Sequence, residues 1–346
     1  MVDFEIKTKQ LIDSLKGICA SYGLGNDGNE FKIITQVFLY KFLNDKFAFE
    51  LKKINKDVAN AGVKWEEAYI SLSDDDKDML RFELGAKTAF LNSEHLISTL
   101  FNRQNESDFA KLFDDTLRDI AKQNNDIFAV KTDGGTKITL FEQNGLSNFI
   151  SDESKRDSFC RAIINKLADF SFEQIFKEKF DFFATIFEYL IKDYNKDSGG
   201  KYAEYYTPHA VAKIMASIMV KGDVKNVSCY DPSAGSGTLL MNIAHAIGED
   251  NCTIYSQDIS QKSSNLLRLN LILNNLVHSI SNIIQGNTML HPYFKDGNNL
   301  KKFDYIVSNP PFKMDFSDFR DDLDTKENKD RFFAGIPKIP AKKLES

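Results

Sequence analysis

Along roughly the first 150 residues, apolar side chains recur at helical spacing. Phe4, Leu11, Leu15 and Ile18 stand three, four or seven residues apart with lysines and acids between them, and Phe31, Ile34, Phe38 and Phe42 repeat the pattern. Each set predicts an amphipathic helix, and Gly23-Leu24-Gly25-Asn26 predicts the turn that separates them. Ser73-Asp74-Asp75-Asp76 predicts a helix start, where the serine oxygen accepts a free N–H and the acids meet the positive end. Further helices are expected over roughly 94–102, 107–122, 156–169 and 172–195. In the last of these, Ile175, Phe176, Phe180, Phe183, Phe187 and Leu190 share one face. A stripe at that spacing is core, and the 29 phenylalanines read the same way. One interruption breaks the helical texture. Between Ala129 and Phe141, two short alternating runs flank Asp133-Gly134-Gly135 and predict a hairpin.

The polar stretch Asn195-Lys196-Asp197-Ser198-Gly199-Gly200 marks a change of mode. Beyond it, Val211–Val220, Thr238–Ile247 and Ser263–Leu276 carry helical patterns. They alternate with short apolar runs at Val227–Tyr230, Thr253–Tyr255, Ile283-Ile284 and Tyr305–Val307. Strands alternating with helices predict an α/β fold with a parallel, doubly wound sheet. The expected organisation is a mainly helical N-terminal domain over residues 1–165, a helical connector over 166–200 and an α/β domain over 201–346.

The 346 residues are 42% hydrophobic and 27% charged, the balance of an ordinary globular protein. No run of about 18 apolar residues and no apolar segment near the start predicts a membrane span or secretory signal. Cys19, Cys160, Cys229 and Cys252 are scattered without a C-x-x-C pair, so neither a disulfide framework nor a metal site is expected, and a reducing cytoplasm fits. The net charge of −6 argues against indiscriminate nucleic-acid coating but leaves room for a local basic patch on DNA.

Two motifs carry chemistry. Asp231-Pro232-Ser233-Ala234-Gly235-Ser236-Gly237 follows a strand and precedes a helix, where glycines allow a sharp bend and close approach to main-chain N–H groups. The loop lacks the G-K-[ST] ending of an ATP loop. Leu240 stands where a dinucleotide fingerprint has its third glycine, which weakens that reading. S-adenosylmethionine, whose zwitterionic end suits an acid beside exposed N–H groups, is the third candidate. About 75 residues further on, the strand Asp304–Val307 runs into Ser308-Asn309-Pro310-Pro311-Phe312. A strand end is where open α/β sheets hold ligands. Two prolines fix the backbone and remove two donors. The resulting rigid edge offers the Asn309 side-chain oxygen and the Pro310 carbonyl to a planar NH2 group, with the Phe312 ring to cover its base.

Together the D-P-x-x-G-x-G and N-P-P-F segments resemble the N6-adenine DNA methyltransferases, and most closely the modification subunit of type I restriction–modification systems. The helical leader and Gly199–Pro208, similar to that subunit's "GEFYTP" segment, extend the resemblance over nearly the whole chain. The resemblance implies a Rossmann-like S-adenosylmethionine-dependent methyltransferase fold and activity. It implies that Tyr206, Thr207, Pro208, Asp231, Ala234, Gly235 and Gly237 hold the methionine end of the cofactor. Asp258 would accept from the ribose hydroxyls and Ile259 would pack on the adenine; a helix-capping role for Asp258 could coexist with the first. Asn287 departs from the acid usual in G-D-[TS] and would accept from the adenine amino group through its amide oxygen. Asn309 and Pro310, with Pro311 holding the corner, would bond the target N6 hydrogens while Phe312 stacks on a flipped-out base.

The implied partners are double-stranded DNA, a specificity subunit, a second modification subunit and, in systems that cleave, a restriction subunit. His209 is read as a surface or capping residue. The roughly 34 residues after Phe312 are charge-dense, and Asp330–Pro337 resembles "DxRFxxGIPP", an internal segment of the complete family protein. The chain is therefore expected to stop within an incomplete catalytic domain that leaves one sheet edge unpaired and catalysis crippled. Alternatives are a stand-alone adenine enzyme, a protein-glutamine or rRNA methyltransferase, and a non-catalytic cofactor- or DNA-binding assembly module.

Overall fold

The computed structural model describes residues 2–25, 28–173, 175–177, 186, 188–190, 207–311 and 316–337. The first two helices, Val2–Ser21 and Gly28–Ile54, lie where the periodicity put them. Ser73 caps Asp74–Leu84, its Oγ accepting from the Asp76 N–H at 3.1 Å and donating to the Asp76 carboxylate at 2.6 Å. The helix expected near 94–102 is a short 3-10 turn, Ser93–His95, followed by Ile97–Arg103. Phe109–Gln123 and Arg156–Ala168 agree with expectation, whereas Lys56–Asn60 and Trp65–Ile70 are additional short helices. Over 172–195 the described part opens with a 3-10 turn, Ile175–Lys177; of the stripe, Ile175 and Leu190 are buried as expected. Phe180, Phe183 and Phe187 lie outside the described residues.

Gly28–Ile54 is buried around its circumference rather than along one stripe, because the other helices surround it. Its polar positions are enclosed too, and they pair along the helix, Lys41 with Asp45 at 2.9 Å and Lys46 with Glu50 at 3.0 Å. Asp45 also accepts from the Phe172 N–H at 2.7 Å, and Asn44 from the Ile97 N–H at 3.0 Å. Buried polar groups on this hub are thereby matched to backbone donors that would otherwise lack partners.

Eight strands are present among the described residues: β1 Val130–Thr132, β2 Lys137–Ile138, β3 Val227–Asp231, β4 Cys252–Asp258, β5 Ile283–Gln285, β6 Lys295–Asp296, β7 Asn299–Leu300 and β8 Tyr305–Ile306. Six of them form one sheet in the order β2-β1-β5-β4-β3-β8, and β6 and β7 make a separate antiparallel ribbon. All neighbours in the large sheet are parallel except β1 and β2. The parallel α/β arrangement is the expected one, with one feature the pattern did not disclose. The predicted hairpin from the helical leader adds itself to the sheet, Lys131 opposite Ile284 and Thr132 opposite Gln285.

Arg268 secures that junction. It lies in the helix Gln261–Leu273, almost completely buried, and donates to the carbonyls of Phe128, Ile138 and Leu140 at 3.0–3.3 Å and to Asn265 Oδ1 at 2.9 Å. The four cysteines are buried and free. Among the described residues, no helix is long and apolar enough to cross a membrane.

Candidate active site

Because β8, β3, β4 and β5 run parallel, their carboxyl ends fall on one edge of the sheet. That edge collects Asn309 beyond β8, Asp231 at the end of β3, Asp258 at the end of β4 and Gly286-Asn287 beyond β5. The bend after β3 needs its glycines. Gly235 and Gly237 have φ of +54° and +83°, and a Cβ on Gly237 would stand 2.2 Å from Leu267 Cδ1 of the helix packed against it. Helix Thr238–Ile247 then starts directly from the bend.

The two strand-end acids hold this bend. Asp258 accepts from the Gly235 N–H at 2.9 Å and, through its other oxygen, from the Ser260 N–H at 2.8 Å. Asp231 accepts from the Ser233 N–H at 2.9 Å, and the Gly237 N–H is bonded to the Ala234 carbonyl at 2.8 Å. Three of the loop's N–H groups are thus engaged inside the protein. What the bend offers a ligand here is carboxylate: ionised, each acid has about four lone-pair sites, of which these bonds use one or two. Burial raises both acids. Asp231, 1% exposed, is pushed up to about 7 against the lowering effect of the Ser233 N–H, and Asp258 moves in the same direction.

A carboxyl group whose folded-state affinity for a proton exceeds its unfolded one stabilises the fold at low pH, and that contribution is lost as pH rises through the folded value. The contribution of Asp231 therefore declines between about pH 4 and pH 7. We expect Asp231→Asn to flatten the fall of melting temperature across that window. A wild-type slope retained in the variant would show that Asp231 is not its source.

The diproline corner reaches the same crevice. The Val307 N–H donates to the Tyr230 carbonyl at 3.0 Å, and Ser308 Oγ lies 2.7 Å from Ser233 Oγ, joining the corner to the glycine bend. Asn309 is half-buried and its Nδ2 donates to Thr207 Oγ1 at 3.2 Å, so the donor end of the amide is held and the oxygen is left as an acceptor. Pro310 and Pro311 are exposed at the rim. Pro208 follows Thr207, and its carbonyl accepts from Val211 and Ala212 to open the helix His209–Met219. His209 sits on that helix start, its Nδ1 3.3 Å from Asn242 Nδ2. Tyr206 and Phe312 lie outside the described residues.

Ala234 is buried within the bend, and Ile259 is 55% exposed beside Asp258, an apolar plate on the rim. Asn287 is otherwise engaged: its Oδ1 accepts from the Met289 and Leu290 N–H groups at 3.0 and 3.2 Å, which leaves Nδ2 as the part of the amide open to a ligand. Thr288 Oγ1 donates to the Pro232 carbonyl at 2.7 Å, and Arg331 clamps the Thr288 and Met289 carbonyls at 3.1 and 2.9 Å. Ser233, Ser308 and Arg331 carry no sequence signal of these contacts, which span 75 and about 42 residues of chain.

A parallel sheet with an acid at two adjoining strand ends, a glycine bend after the first and a diproline corner on the neighbouring strand defines the S-adenosylmethionine-dependent methyltransferase fold. More particularly, residues 178–345 match the model of the N-6 DNA methylase family. The chain is 25% identical over 338 residues to the type I restriction enzyme MpnII methylase subunit of Mycoplasma pneumoniae, an alignment covering 90% of this chain and 58% of the relative. It is 22% identical to the MjaVIII methylase subunit of Methanocaldococcus jannaschii, over 89% of this chain and 49% of the relative. A solved structure of a type I restriction–modification system methyltransferase subunit from Streptococcus thermophilus shares the fold. Its TM-score is 0.69 at 20% identity, over 92% of this chain and 66% of that one. The chain thus spans about half the length of the curated relatives it matches.

Proposed function

We propose that this chain is the modification subunit of a type I restriction–modification system and methylates N6 of adenine in double-stranded DNA. In this reading it acts in the cytoplasm with a specificity subunit that selects the sequence, a second modification subunit and, where the system cleaves, a restriction subunit. Residues 1–165, 166–200 and 201–346 form its helical leader, connector and catalytic segment. The observation that carries the reading is the approach of Asn309 to Thr207 while Ser308 meets Ser233, which supports a target base and a cofactor sharing one crevice.

The residues present fit S-adenosylmethionine. Asp231 retains acceptor sites for an ammonium group and Asp258 for a ribose diol, while Ile259 supplies an exposed apolar face for a purine. When bound, that group supplies an electrophilic sulfonium methyl. The chain's own work is positioning. Asn309, its Nδ2 tied to Thr207, presents an oxygen to one N6 hydrogen of the target, and the Pro310 carbonyl accepts the other. Two acceptors draw N6 toward sp3 geometry and aim its lone pair, an electrostatic and orientational contribution that requires no prior deprotonation. The exposed corner suits a base swung out of its stack, at a cost of a few kcal/mol.

The test combines calorimetry of the chain with S-adenosylmethionine and transfer of labelled methyl to double-stranded DNA, ribosomal RNA or a glutamine peptide, with and without a specificity subunit. Label recovered as N6-methyladenine in DNA, dependent on that subunit, is expected. Label in RNA or peptide instead would overturn the substrate, and absence of cofactor binding would overturn the class.

A further inference from the structure

At the far side of the same edge stands a group that the functional reading leaves unused. β1 pairs with β5 so that Thr132 is level with Gln285, and the Asp133 N–H donates to the Gln285 carbonyl at 2.9 Å. Asp258 lies opposite Gln285 on the other side, and the Gly286 N–H donates to the Asp258 carbonyl at 2.8 Å. Asp258, Gly286 and Asp133 therefore form a row across two strand spacings, about 10 Å, on the order of the length of an adenosine. The Asp133 side chain lies directly on Gly286: a Cβ built there would be 2.5 Å from Oδ2, 2.6 Å from Cγ and 2.7 Å from Cβ of Asp133. Asp133 is exposed, and among the described residues its carboxylate has no hydrogen-bond or ion-pair partner. Asn287 Oδ1 is already occupied by two backbone N–H groups. On this side of the crevice, then, the aspartate offers acceptors and Asn287 offers the donors of its Nδ2. That pairing complements the amino group and ring nitrogen on one edge of an adenine.

We infer that Asp133, carried in by the hairpin of the helical leader, is a specificity-determining residue for the cofactor's base, accepting from the exocyclic amino group of an adenosine whose ribose is held at Asp258. The inference rests on the proposed use of S-adenosylmethionine. It makes the leader part of the cofactor site rather than an appendage to it.

The probes are S-adenosylhomocysteine and its deaminated counterpart S-inosylhomocysteine, titrated calorimetrically into the wild-type chain and into Asp133→Ala and Asp133→Asn. The deaminated base puts a carbonyl oxygen where the amino group was, so the carboxylate repels it. Asp133→Ala is expected to bind S-adenosylhomocysteine about 10-fold more weakly and S-inosylhomocysteine no more weakly than wild type. Asp133→Asn, which keeps an acceptor without the charge, should fall between. Melting temperatures should be nearly unchanged, because the side chain is exposed. If the wild type binds both probes and the ratio of affinities is the same in Asp133→Ala, the assignment is wrong while the cofactor reading stands. If the wild type binds neither, both fall together.

Discussion

Asn309→Ala is expected to lower methyl transfer by about 10²–10³-fold while leaving S-adenosylmethionine affinity within about twofold. In the proposed mechanism its oxygen accepts from hydrogens whose bonds strengthen only as N6 becomes tetrahedral, the situation in which loss of one preorganised partner costs that much. Cofactor affinity survives because the groups read as binding it, Asp231 and Asp258, make their own bonds within the bend. Asn309→Asp retains an acceptor and should keep much of the activity, since the Thr207 hydroxyl can reverse its role and donate. Thr207→Val removes the hydroxyl that orients this amide, and a smaller loss, roughly tenfold, is expected from one neutral hydrogen bond. The measurement is incorporation of labelled methyl into DNA by the assembled enzyme. Asn309→Ala activity within a few-fold of wild type would remove Asn309 from the chemistry.

Arg268→Ala is expected to be the most destabilising single change away from the crevice, by about 3–5 kcal/mol in urea unfolding. The guanidinium serves three backbone carbonyls and Asn265, and among the described residues no carboxylate pairs with it. Burial lowers its affinity for the proton to about 10, so it remains a cation at neutral pH. Truncation would take a charged donor from the carbonyls of Phe128, Ile138 and Leu140 at a largely buried junction. Lysine should not rescue, because one ammonium cannot reproduce the planar fork that reaches four oxygens. The same variant should loosen the hairpin that Arg268 holds to the sheet, read as faster amide exchange at Val130–Thr132 and as weaker S-adenosylhomocysteine binding through displacement of Asp133. A loss below about 1 kcal/mol would mean that the hairpin is held by its strand pairing alone.

Much of this was legible without coordinates where the cause is local. Ser73 and the acids after it specify a helix start by chemistry within one turn. Gly235 and Gly237 announce a bend that other residues could not adopt, and the alternation of short apolar runs with helical stretches announces a parallel sheet. The diproline corner was readable because proline acts on its own backbone. Contacts between distant segments were not readable. Asn287 was expected to offer its oxygen to a ligand, yet that oxygen caps the turn at Met289 and Leu290, a choice made by the path of the loop under the Arg331 clamp. Of the loop N–H groups expected to face a ligand, those of Ser233 and Gly235 are taken by Asp231 and Asp258. The hairpin was foreseen as a hairpin, but its exposed edge says nothing about which strand it will join.

What the chain determined by itself, then, is the inventory: where helices and strands begin, which bends require glycine, and which acceptors stand at strand ends. These follow from interactions within a few residues. The tertiary structure decided the companionship of those groups, Asn309 with Thr207, Ser308 with Ser233, Asp133 with Gly286. Strand order and register are set by burial and backbone pairing between segments as many as 153 positions apart, as Lys131 and Ile284 are, and no local pattern encodes that choice.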